Sequence, residues 1–191
     1  MSKGRLEAFS DGVLAIIITI MVLEMKAPEG KEWEDLISII PTFIGYIISY
    51  TYVGIYWVNH HRLLVGAKKI NGKTLWANLL WMFFVSLVPF ATAWASNTGY
   101  SCVPVFLYGA ILFLSALSYQ VLYVTIHCAQ GQDETLLNVM IGDKRNLMTL
   151  ICYGATMPLA YIYVPAAYVI YIVVAALWIM PEVGNRGPEE P

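Results

Sequence analysis

Six long apolar stretches constrain this chain more than any single residue does. They cover about 5–26, 34–63, 73–96, 101–128, 146–162 and 164–181, and each comes close to the roughly 20 residues that a helix needs to cross a bilayer. The chain is 59% hydrophobic and only 13% charged, where a soluble domain is about half apolar and about a quarter charged. The sequence therefore predicts an all-α membrane protein, a single six-span domain over residues 1–191 whose partner is the lipid bilayer.

The breaks between the stretches are explicit. Pro28 and Gly30 end the first, Asn71-Gly72 the second and Ser96-Asn97-Thr98-Gly99 the third; these are turn residues. Ala129 to Arg145 is the one long connection, and its stretch from Leu136 to Ile141 is expected on the membrane surface. Pro165 makes the last turn tight. The first stretch ends in Glu24-Met25-Lys26-Ala27-Pro28 without an A-x-A cleavage pattern and carries Glu7 and Asp11 at its start, so it reads as a mature helix and not as a signal peptide.

Orientation follows from the basic residues of the short loops. Lys3, Arg5, Arg62, Lys68, Lys69, Lys73, Lys144, Arg145 and Arg186 fall on one side, and Lys26 and Lys31 on the other. Both termini are expected in the cytoplasm. Glu24, Glu29, Glu32, Glu34 and Asp35 cluster on the opposite side, either as a solvated loop or as a concentrator of cations at a pore mouth.

Several function classes drop out. A net charge of −2 with no basic tail excludes nucleic acid as the expected partner. Cys102, Cys128 and Cys152 have neither metal spacing nor a disulfide framework and read as small buried hydrophobes. No nucleophile elbow or phosphate-cradling glycine loop is present, so the chain does not read as an enzyme. The adjacent pair His60-His61 lacks the i,i+4 spacing and third ligand of a helical zinc site. No cofactor and no tightly bound metal are expected. Thr51-Tyr52-Val53-Gly54 shares its composition with a potassium filter, but the filter order is TVGYG on a re-entrant loop, and here the four residues lie inside a span.

Charge at the entrance of the first span points to function. Arg5 and Asp11 are expensive to place there unless they pair inside a bundle or line a wet path. Being six apart, they are separated by about 240° around a helix, so each must find partners on other helices. The second span returns Trp57, His60 and His61 to the level of Ser10 and Asp11, and the third brings Asn78. This set reads as a polar knot pinning three helices. The alternative is a proton relay, because histidine titrates near neutral pH.

Further along the first span, Ile16, Ile20 and Leu23 recur at i, i+4 and i+7, with Thr19 in the same arc. Copies of this helix around an axis would stack an apolar ring at Ile16 on a hydroxyl ring at Thr19. Apolar rings gate by dewetting, and threonine oxygens replace part of a potassium ion's hydration shell.

These residues also carry a family resemblance. Arg5-x-x-x-Phe9-Ser10-Asp11 is similar to the R-x-x-x-F-S-D signature of the transmembrane protein 175 family, followed by Gly12-Val13-Leu14-Ala15-Ile16-Ile17-Ile18-Thr19. Trp57-x-x-His60-His61-Arg62 resembles the end of that family's second helix, and Asn78 with Pro89-Phe90 resembles its third. The likeness covers residues 5–90; beyond them only the span count agrees. It implies a potassium-permeable cation channel without the usual filter loop. Animal members are endolysosomal with two six-span repeats. One six-span unit resembles the prokaryotic members, which are homotetramers of the plasma membrane with the first helix lining the axis. Carried over, Ile16 is the hydrophobic constriction, Thr19 the selectivity layer, and Ile20 and Leu23 the narrow wall, with potassium permeating near Ile16 and Thr19. Arg5, Ser10 and Asp11 hold that helix. Two other readings stand beside the channel. One is a proton-linked secondary transporter using Asp11 and His60 or His61, although no inverted repeat or broken first span supports it. The other is a membrane scaffold.

Overall fold

A computed structural model describes residues 2–132 and 135–180. Among them the regular structure is entirely helical: α1 (Lys3–Leu23), α2 (Trp33–Ser38), α3 (Ile40–Gly66), α4 (Gly72–Ser86), α5 (Val88–Asn97), α6 (Cys102–Ala129), α7 (Leu136–Gly142), α8 (Lys144–Ile162) and α9 (Val164–Ile179). The all-α membrane class expected from the sequence is what this architecture displays. Arg186, used above to orient the chain, lies outside the described residues.

Prolines and caps explain most boundaries. The expected second stretch divides at Ile39, because Pro41 occupies the first turn of α3 and cannot donate to a continuing helix. A short α2 remains before it, and Asp35 there accepts from the Glu32 backbone N–H at 3.0 Å. Part of the acidic cluster is thus spent on a helix cap. Pro89 likewise separates α4 from α5 at Leu87, yet the run Gly72–Asn97 still spans 26 residues. Asn71 caps α4 by accepting from Thr74 N–H at 2.9 Å, and Thr135 caps α7. Leu137 and Ile141 of α7 are exposed.

The runs Lys3–Leu23, Gly72–Asn97 and Cys102–Ala129 are long and apolar enough by themselves to cross a membrane. The others fall short for visible reasons. α3 has 27 residues but is diluted by tyrosines, histidines and Arg62. α8 contains Pro158. α9 has 16 residues, or about 24 Å of helix against about 30 Å of hydrocarbon.

The core is aromatic and tight. α6 packs on α4, α5 and α8, and α1 packs against α3, α4 and α5. Trp81, Tyr52, Tyr153 and Tyr171 are fully buried. Two of the four polar tips are satisfied by backbone: Tyr52 donates to Tyr171 C=O at 2.5 Å, and Tyr171 to Val105 C=O at 3.1 Å, whereas Trp81 Nε1 has no partner among the described residues. A β-carbon at Gly109 would meet Thr156 Oγ1 at 2.5 Å and the Tyr171 hydroxyl at 2.7 Å, so α6, α8 and α9 approach through that glycine. The α5–α6 turn uses Gly99 and Tyr100 in left-handed conformation, with φ of 59° and 60°. Such φ is costly for tyrosine. Its hydroxyl donates to Pro41 C=O, and its ring meets Tyr168 edge-on at 4.8 Å. The cysteines depart from expectation: Cys128 is exposed and Cys102 and Cys152 are half-buried, Cys102 and Cys128 lying at the two ends of α6.

Candidate functional site: the two faces of the first helix

α1 presents two different faces. Leu6, Ser10, Leu14, Ile17 and Met21 are buried, at the spacing of one helical stripe. Opposite them, Ile16 is 57%, Ile20 42% and Leu23 76% exposed. Gly12 and Thr19 share that exposed side. Thr19 donates its hydroxyl proton to Ile16 C=O at 2.9 Å, a frequent habit of helix threonines. Both oxygen lone pairs are then left to face outward, as a cation ligand would need. Beside the stripe runs a groove of about 480 Å³ between α1 and the α4–α5 junction, lined by Val13, Ile16, Ile20 and Phe90, with Glu24 at one end.

The buried face is fastened by polar bonds in two layers. In the inner layer Ser10, Asn78 and His60 are fully buried. Ser10 donates to Leu6 C=O at 2.9 Å and accepts from Asn78 Nδ2 at 3.0 Å. Asn78 Oδ1 lies 2.8 Å from His60 Nε2. An amide oxygen can only accept, so Nε2 carries a proton and donates it. Among the described residues His60 Nδ1 has no partner. The imidazole lies flat on Trp81, with centroids 4.7 Å apart and 15° between planes. In this way α1, α4 and α3 are joined through one asparagine.

The outer layer is more open. Asp11 Oδ1 accepts from Trp57 Nε1 at 2.9 Å, and the Trp57 and His61 rings stack at 6.3 Å. His61 Nδ1 lies 3.2 Å from Glu7 Oε1. Lys3 Nζ donates to Val65 C=O at 3.0 Å.

Ser10, Asp11, Trp57, His60, His61 and Asn78 therefore meet. Arg5 does not: it is exposed, and none of these bonds reaches it. Geometry gives the reason, since a residue about 240° from Asp11 points away when Asp11 faces α3. Asp11 itself is half-buried, so the high burial cost expected of it is relieved by partial exposure. Glu7 was missed, although its spacing of four from Asp11 puts both on one face. Among the described residues no group of three metal-ligating side chains forms.

Residues 5–89 match the family model described as the endosomal/lysosomal potassium channel TMEM175. A potassium channel of Chryseobacterium is 45% identical over 182 residues, covering 95% of each chain. A potassium channel of Streptomyces collinus is 34% identical over 129 residues, or 63% of each. In three dimensions the crystal structure of a lysosomal potassium-selective channel TMEM175 homolog from Chamaesiphon minutus superposes with a TM-score of 0.78, at 28% identity, covering 92% of this chain and 95% of that one. With one relative alike from end to end and the family's motifs gathered on α1, α3 and α4, the chain belongs to the TMEM175 family.

Proposed function

We propose that the chain is the subunit of a homotetrameric potassium channel in a prokaryotic plasma membrane. Its relatives' names supply the ion. The arrangement has six spans, both termini in the cytoplasm, and α1 of each copy facing a common axis. Ile16 forms the hydrophobic constriction, Thr19 a hydroxyl layer one turn away, and Ile20 and Leu23 the wall beyond. No cofactor takes part, and potassium is the permeant ion.

One observation carries the reading. α1 exposes a stripe of Ile16, Thr19, Ile20 and Leu23 while its opposite edge is locked by buried bonds. A helix fixed so firmly on one side presents the other in a defined direction, which a pore wall needs and a lipid-facing helix does not. The polar layers hold α1 from behind and stay clear of the axis. The basic loops, Lys68 and Lys69 among them, support the orientation.

The test is recording from purified protein in planar bilayers with potassium against sodium. Unitary current steps with a reversal potential near that of potassium are expected. Slow saturable flux without steps would point instead to the proton-linked carrier using Asp11 and His60 or His61.

A further inference from the structure

The connection from α3 to α4 carries Lys68, Lys69 and Lys73 and no acidic side chain. Short surface loops are usually the mobile parts of a chain, but this one is held by a single side chain of another helix. At the end of α6, Gln130 Oε1 accepts from the backbone N–H of Lys68 at 3.0 Å and from that of Lys69 at 3.2 Å. Gln130 Nε2 donates to Lys69 C=O at 2.9 Å and to Ile126 C=O at 3.2 Å. Ala67 is buried just before the lysine pair, and Asn71 caps α4 just after it. With its backbone engaged in this way, the loop offers outward three exposed ammonium groups. Among the described residues none of the three has an ion-pair partner.

Next to the lysines, α4 turns an apolar face outward. Lys73, Trp76, Leu80 and Phe83 follow at spacings of three, four and three, so they fall on one side of the helix. Trp76 is 75% exposed, and Leu80 and Phe83 are exposed beyond it. Asn78, bonded to Ser10 of α1, stands about 200° around α4 from both Trp76 and Leu80, so this face is turned away from the fastened edge of α1. The order along it is cation, tryptophan, aliphatic chain and ring. A phospholipid presents the complementary order. Basic residues beside a span attract anionic headgroups, tryptophan settles at the interface, and Phe83 lies about 15 Å along the helix from Lys73, the depth of one leaflet of a core about 30 Å thick. A soluble anion would use the lysines and leave the apolar face uncovered. A lipid of zero net charge would cover the face and leave the lysines uncompensated.

We propose that this face of α4 and the loop held by Gln130 form a binding site for an anionic phospholipid, with its headgroup on Lys68, Lys69 and Lys73 and an acyl chain along Trp76, Leu80 and Phe83. In the orientation proposed above, the lipid belongs to the cytoplasmic leaflet. Binding is read without current and does not require α1 to line a pore, so failure of the channel reading would leave this site standing.

Native mass spectrometry of the detergent-solubilised protein, with phosphatidylglycerol or phosphatidylcholine of identical acyl chains, tests this. One lysine near an anionic surface favours binding about fivefold, so phosphatidylglycerol should be retained at least about fivefold more tightly. Replacing all three lysines, as Lys68→Gln, Lys69→Gln and Lys73→Gln, should bring the two lipids level. Gln130→Ala keeps every charge but releases the loop, and should narrow the preference. Equal retention of the two lipids by the unmodified protein, or retention of neither, would overturn the proposal, and that result needs no variant to fold. A preference that survives the triple replacement would overturn the assignment to these lysines. Displacement of the lipid by an equal concentration of glycerol phosphate would overturn the lipid in favour of a soluble anion.

Discussion

Asn78 ties α1, α3 and α4 together through its one amide, and its removal has a calculable cost. In Asn78→Ala, His60 Nε2–H loses its acceptor at a site with no solvent exposure. An unsatisfied buried donor costs about 1–3 kcal/mol. Ser10 suffers less, since its hydroxyl still donates to Leu6 C=O; it loses only a bond it accepts. The small cavity left by the amide adds further cost. The sum expected is about 2–4 kcal/mol, built from those penalties.

His60→Phe separates the bond from the packing. Phenylalanine keeps a flat ring on Trp81, where imidazole now stacks at 4.7 Å, but carries no donor. Unfolding free energies of the two single variants and the double variant, measured in detergent by steric trapping, close a mutant cycle. A coupling of about 1–2 kcal/mol is expected, the range for residues in one hydrogen-bonded set. Additive losses within about 0.5 kcal/mol would refute the reasoning, since they would mean that the histidine–asparagine bond contributes nothing beyond shape.

Other outcomes are expected together. Ile16→Asn should wet the constriction, raising unitary conductance and admitting sodium in single-channel records; a destabilised protein with unchanged conductance would take Ile16 off the axis. Thr19→Val keeps the shape and removes the outward oxygen, so the potassium-to-sodium permeability ratio from biionic reversal potentials should fall. Trp57→Phe deletes the donor to Asp11 in a half-exposed layer, and its loss of stability in thermal melts should be about 0.5–1.5 kcal/mol, smaller than that of Asn78→Ala. Cysteines placed at Thr98 and Ile70, in a background lacking the native three, should react with an impermeant maleimide from outside and inside respectively; the reverse pattern would invert the topology.

What could be read in the sequence was what depends on period and cost. Apolar length gave the helical membrane class, because every backbone polar group must be satisfied within hydrocarbon. The level of Ser10, Trp57, His60 and Asn78 followed from counting residues along antiparallel runs. Which histidine faces which partner did not follow. His60 and His61 are neighbours about 100° apart, and only the packing of α3 against both α1 and α4 sends one to Asn78 and the other to Glu7. Nor could the sequence divide the second stretch at Ile39, since Pro41 is tolerated in a first helical turn as readily as it interrupts a longer helix.

Arg5 shows a further limit. The burial cost of an ion argues that it is paired or wet, and leaves open which of the two applies. For Asp11 the structure supplies a partner, Trp57, on the side facing α3. For Arg5 it supplies exposure on the side shared with Gly12 and Ile16. These residues are spaced seven and four apart, which returns them to nearly one line along the helix. The motif that reads as a unit in sequence is therefore split by the helix it lies on. Ser10 and Asp11 face inward and fix the rotation of α1, while Arg5 continues the outward stripe. In the proposed tetramer that places four guanidinium groups at the cytoplasmic end of the same face whose isoleucines form the constriction. Cations approaching from that side would meet a positive ring before the hydroxyl layer, and the acidic loops lie at the other end.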